Sequence, residues 1–291
     1  MKTNIKTALV LLSIFTIVLV ASSFFASVNL KLFSVISLQT GINYNVTSPF
    51  YYLIYLIIAG LLIPTAVILL LVKYKKLRII NIVIILLFLF VMYAFSDLFL
   101  LDIFVFPLNG NLSSSSSLLA VFSLLVYVLP VVLTVYYFKY AGKYAKDVLN
   151  VILFVSISAI ISLYLNIITA LILIAVISIY DYISVFITKH MLTLAKAFSG
   201  NSFGGISLMA RKAKKQEIFL GGGDLAFPAI LANEFFLHYN LFSGIFAVIG
   251  AVAGLSIILF FGKKGKAYPA MAAIGPMQFA FLGLYFLIRF I

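Results

Sequence analysis

Seven acidic residues occur in the chain, and most of them stand beside basic segments or toward the ends of apolar runs. Asp147 and Glu217 adjoin basic segments, where a solvated or ion-paired role is expected. Glu234, Asp97 and Asp102 fall toward the opposite ends of their apolar runs, a setting that suits capping or pairing near headgroups. Asp181, in SIYDYISVFITKH, and Asp224, in FLGGGDLAFPAIL, are different. Measured from the basic boundaries near Lys189 and Gln216, each lies about eight residues, or roughly 12 Å at helical rise, inside apolar sequence. Ionising a carboxylate there costs about 2.5 to 3.5 kcal/mol on insertion scales, so each acid is a functional candidate.

Two acids at one depth, on consecutive antiparallel helices, can face each other. Close carboxylates do not ionise together cheaply, so a pair holds one shared proton. One member can then act as base toward a water while the other acts as acid toward a carbonyl oxygen, which is the chemistry of aspartic proteases. From the carboxylates alone, a proton-coupled transporter or cation channel fits as well, and a catalytically silent membrane chaperone is a third reading. Other hydrolytic chemistries fit poorly. Cysteine is absent, which removes thiolate nucleophiles and thiolate metal sites. There is no His-Glu-x-x-His metal motif, and His190 and His238 both fall at membrane boundaries, where an interfacial role is expected. No phosphate loop or cofactor fingerprint is present, so neither a metal nor a cofactor is expected.

The elements that would carry these acids are helices in a bilayer. The 291 residues are 65% hydrophobic and 9% charged, far from the make-up of a soluble domain. Windows at about 7–29, 50–72, 79–106, 117–138, 148–165, 167–188, 240–261 and 267–290 are long and apolar enough to span. Residues 217–237 are ambiguous, with three acids, three glycines and a proline. Charge resolves the ambiguity. With nine spans and a cytoplasmic N-terminus, all but Lys31 and Arg289 of the 20 basic residues lie inside, whereas omitting 217–237 exports Lys263, Lys264 and Lys266. The expectation is an all-α membrane protein with nine transmembrane helices, an external C-terminus and one domain over 1–291: helices 1–6 over about 7–188, a cytoplasmic loop over about 189–216, and helices 7–9 over about 217–290. The net charge of +13 is read as this topological bias, so nucleic acid is not an expected partner. The expected partners are the lipid bilayer and, by the protease reading, transmembrane-helix peptides; self-association stays open.

The motifs resemble those of the presenilin and signal peptide peptidase family of intramembrane aspartyl proteases. Tyr180-Asp181 matches the family's Tyr-Asp motif, and Gly221-Gly222-Gly223-Asp224 its Gly-x-Gly-Asp. Pro269-Ala270-Met271 matches its Pro-Ala-Leu, with Met for Leu, a swap that nearly conserves volume. Motif order, span number and orientation are presenilin-like, and YDYISVFITKHMLTLA is similar to the archaeal branch. The resemblance implies that Asp181 and Asp224 are catalytic, that Tyr180, Gly221 and Gly223 support them, and that Pro269, Ala270 and Met271 flank the site and position the substrate strand. It implies cleavage within transmembrane helices or signal-peptide remnants, in a multi-pass protein of an archaeal cell membrane, with no self-cleavage needed in the short 191–216 loop. From the residues themselves, the glycines weaken the start of the seventh helix, Pro269 sits in the first turn of the last one, and Pro228 and Pro276 kink theirs.

Overall fold

The computed structural model describes residues 5–40, 77–104, 116–188, 205–209, 217–262 and 268–290, with Val67, Leu70 and Tyr74 besides. Eight helices and one hairpin make up these residues. In chain order they are α1 (Ile5–Thr40), α2 (Leu77–Phe104), α3 (Ser116–Val135), α4 (Lys143–Ser162), α5 (Ile167–Tyr182), strands β1 (Gly205–Met209) and β2 (Glu217–Gly221), then α6 (Gly222–His238), α7 (Leu241–Phe261) and α8 (Met271–Phe290). The window at 50–72 and most of the 189–216 loop lie outside the described residues. Among the described residues six helices, α1, α2, α4, α5, α7 and α8, are long and apolar enough to cross a membrane. Their outward faces carry Ile17, Phe24, Phe90, Leu287 and other large exposed apolar side chains, as a lipid-facing surface requires.

The boundaries follow local chemistry. Asn166 caps α5 by accepting from the Thr169 amide at 2.9 Å, and Asn240 forms a capping box with Ser243 at the start of α7. α1 runs on to Thr40, beyond the apolar window expected over about 7–29. No glycine or proline interrupts it before Gly41. α3 and α5 each finish in one π-helical turn, over Tyr136–Tyr140 and Ile183–Ile187. The second of these begins two residues after Asp181.

The seventh predicted helix starts later than the charge pattern suggested. Residues Glu217–Gly221 are extended and pair antiparallel with β1, with Gly205 opposite Gly221 and Met209 opposite Glu217. Extended chain reaches about twice as far per residue as a helix, so the depth reckoned for Asp224 by helical rise does not hold. Its position comes instead from two residues of helix after a strand.

α6 is the central helix: it packs against α1, α4, α5, α7 and α8. Its residues from Pro228 to Phe235 are all buried, the mark of a helix enclosed on every side. Small residues set the spacing around it. A Cβ on Gly254 would stand 2.6 Å from the Ile274 Cα, and one on Gly250 would stand 2.8 Å from the Gln278 Cα, so α7 and α8 touch backbone to backbone. Gly275 of α8 makes room for the side chains of Ser178 and Ile174 on α5. This close approach of small residues lets helices associate without a hydrophobic driving force in lipid.

Candidate active site

Asp224 occupies the third position of α6, with Gly221 as the N-cap. Its carboxylate reaches back to the Gly221 amide, the acid half of a capping box. A Cβ at residue 221 would lie 3.0 Å from Asp224 Oδ2, so glycine there leaves the carboxylate room to fold over the cap. The glycines therefore do more than loosen a helix: they mark the joint between strand and helix. Gly223 is exposed and Asp224 half-buried. Pro228, one turn on, has no amide to give the Asp224 carbonyl, so one rung of the first turns is missing.

Asp181 approaches from α5. It is 9% exposed, and its own carbonyl accepts from Ser184 Oγ at 3.0 Å. Its carboxylate is held from a third direction: the Met271 amide donates to Oδ2 at 2.9 Å, and the Ala272 amide also donates to it. α8 begins at Met271, after Ala270, so these are first-turn amides with no intrahelical acceptor. Alanine offers no capping side chain. Asp181 supplies the missing acceptor from another helix, and α8 in turn directs its N-terminal amides at an anionic group. Pro269 precedes the helix and does not occupy its first turn. Pro269, Ala270 and Met271 are buried.

The two carboxylates are close enough to interact electrostatically. The structure thus brings together Asp181, Asp224, Gly221 and Met271, which the sequence singled out. Tyr180 is half-buried on the neighbouring step of α5. Ala272 was missed, because a backbone donor carries no side-chain signal; the clue available was a helix start at Pro-Ala with no capping side chain.

Glu234 lies one turn before the end of α6 but faces the protein interior. It is fully buried, and neither carboxylate oxygen has a hydrogen-bond partner among the described residues. His238 Nε2, one turn on and largely exposed, stands 3.7 Å from Oε2. Beside it, Asn233 joins three helices: Ser22 and Ser23 of α1 donate to its Oδ1 at 3.0 and 2.7 Å, and its Nδ2 donates to Ser162 of α4 at 3.3 Å. Among the described residues, no cluster of three or more His, Cys, Asp or Glu side chains could hold a metal ion.

A bundle of membrane helices thus sets two acids near each other, one held by the first-turn amides of α8 and the other by its own helix start. Residues 7–282 match the family described as signal-peptide peptidase, presenilin aspartyl protease, and the chain belongs to that family. Two crystal forms of a presenilin family intramembrane aspartate protease share its fold. For the C222 form the TM-score is 0.63 at 21% identity, covering 95% of this chain and 99% of the other. For the P2 form it is 0.55 at 20% identity, covering 93% and 96%. No curated protein matches. The protein is an integral, multi-pass, intramembrane-cleaving aspartic endopeptidase.

Proposed function

We propose that Asp181 and Asp224 are the catalytic pair and hydrolyse peptide bonds within transmembrane helices of membrane proteins or signal-peptide remnants. The observation that supports this most is the convergence of the two acids, from α5 and α6, beside the α8 amides that hold Asp181 Oδ2 at 2.9 Å. One carboxylate takes a proton as water attacks the scissile carbonyl carbon, while the other gives its proton to the carbonyl oxygen. The tetrahedral gem-diol then collapses: the C–N bond breaks, the proton held by the base goes to the leaving amine, and a gem-diol hydroxyl gives its proton back to the other carboxylate as the product carboxyl forms, so the pair again holds one shared proton. The Met271 and Ala272 amides keep one acid in place, so the pair is oriented before substrate arrives. A bond inside an intact helix has its carbonyl engaged, so the substrate unwinds locally before reaching the exposed Gly223 and half-buried Asp224. Tyr180 and Gly223 support the pair, and Pro269, Ala270 and Met271 place the substrate strand.

The wider reading is a nine-span protein with a cytoplasmic N-terminus and an external C-terminus, acting as one domain in an archaeal cell membrane, without nucleic acid and without self-cleavage of residues 191–216. Reporter fusions that place both termini on one side would refute this topology. The catalytic reading is tested by incubating purified protein with a transmembrane-helix peptide across pH. Cleavage should follow a bell: it falls toward acid as the base becomes protonated and falls toward alkali as the acid loses its proton. Asp224→Ala should be inert throughout. Substantial cleavage by that variant, or its loss of ion flux with proteolysis intact, overturns the proposal.

A further inference from the structure

Gln278 of α8 is fully buried. Its Nε2 splits between two backbone carbonyls on two helices, donating to Pro228 of α6 at 3.0 Å and to Ala247 of α7 at 3.3 Å. The reverse amide orientation would set its oxygen against both carbonyls. Oε1 has no hydrogen-bond partner among the described residues. Burying an amide with half its polar capacity unmet is unfavourable, and Met or Leu would fill the same volume without that cost. Packing alone therefore does not account for a glutamine here. The site is also deliberately close: the missing Cβ of Gly250 is what lets the Gln278 backbone approach α7.

Position along the helices supplies the reason. Met271 and Gln278 are seven residues apart, two turns, and so share one face of α8. The first holds Asp181 through its amide. The second holds the carbonyl of Pro228, one turn beyond Asp224 on α6 and on the same face. Pro228 is also where α6 lacks the rung back to Asp224, so the turn carrying the acid is joined to the rest of its helix by fewer hydrogen bonds. Gln278 grips the chain just past that weak joint.

We propose that Gln278 is a positioning residue that fixes the register of α6, and with it Asp224, against the same face of α8 that holds Asp181. This rests on the reading of the two acids as one catalytic pair. The two stand or fall separately: activity surviving Asp181→Ala sinks the pair, whereas the outcomes below bear on Gln278 alone.

The test uses the full-length protein and a synthetic transmembrane-helix peptide, comparing wild type with Gln278→Met, which keeps volume and removes both donated bonds. The expected result is a kcat reduced about 10-fold with KM within about 2-fold, because the loss falls on the alignment of reacting groups. The bell-shaped pH profile should narrow by about one unit, since a looser pair of acids is less strongly coupled. Gln278→Asn, which keeps the amide but withdraws it by one methylene, should lie between the two and serves as the reading if the Met variant does not fold. Asn233→Leu is the structural control: it removes buried hydrogen bonds further along α6 and should lower thermal stability without narrowing the bell. Wild-type kcat and pH width in Gln278→Met overturn the proposal. So does a loss of activity that only tracks the folded fraction, with the bell unchanged.

Discussion

The two ends of α6 hold acids of opposite character. At the strand-side end, Asp224 is half-buried, reaches the Gly221 amide, and faces a second acid that is itself held by amides of α8. At the other end, Glu234 is fully buried and neither oxygen makes a hydrogen bond among the described residues, while Asn233 beside it is bonded to Ser22, Ser23 and Ser162. Burial of a carboxylate thus does not by itself mark a reactive site. What separates the ends is the supply of preorganised donors and a second acid at one, against packing and an exposed histidine 3.7 Å away at the other. The Asn233 network shows that this region can satisfy a polar side chain, so the bare state of Glu234 reflects where its side chain lands.

The sharpest break in the comparison comes from the acids. Asp181→Asn and Asp224→Asn should each lower cleavage of a transmembrane peptide at least about a thousand-fold, and the double variant should be no worse than either single one, because both groups act in one step. An additive double loss in a peptide-cleavage assay would dissolve the pair. At the same end, Met271→Pro removes the amide that binds Asp181 at a position where helices tolerate proline. It should cost about ten-fold or more in kcat. Met271→Leu, which keeps the amide and nearly the volume, should retain activity within a few-fold. Equal losses in the two variants would show that the side chain, and not the amide, matters.

Smaller effects come from packing. Gly254→Ala pushes a Cβ into the Ile274 backbone, which has no flexible end to yield. It should destabilise by about 1 to 3 kcal/mol, read by thermal unfolding in detergent, whereas Gly142→Ala, with nothing within 4 Å of the new Cβ, should not. At the far end, Asn233→Leu leaves three serines without their shared partner and should cost about 1 to 3 kcal/mol. Glu234→Leu should be neutral or raise the melting temperature by a few degrees, because a buried acid with no hydrogen bond among the described residues and only an exposed histidine 3.7 Å away is replaced by an apolar group of similar size. Loss of proteolysis in folded Glu234→Leu would erase the distinction between the two ends.

Some of this was legible in the linear chain, because its causes are local. Apolar runs with basic flanks locate helices by composition alone, and they place α2, α5, α7 and α8 close to their observed limits. The helix starts at Asn166 and Asn240 are equally local, because a capping side chain acts within three residues. The pairs Tyr180-Asp181 and Gly223-Asp224 stand out because acids are rare in such surroundings. Residues 217–221 misled: a polar-to-apolar run does not by itself distinguish a strand entering a helix from the helix itself, and here pairing with β1 decided it. Glu234 misled for a related reason, since distance from a charged flank does not say how many helices surround a residue.

Sequence by itself determined that this chain inhabits a bilayer, roughly where its helices run, and which two acids have no ordinary reason to be there, since hydropathy and helix-ending chemistry act over a few residues. Only the tertiary structure decided which groups serve those acids. The bond from Met271 to Asp181 joins residues 90 positions apart, and that from Gln278 to Pro228 joins residues 50 apart. Gly250 and Gly254 of α7 let its backbone meet that of α8, the helix that carries both donors. A contact of that kind depends on the three-dimensional packing of five helices around α6, which no local pattern encodes.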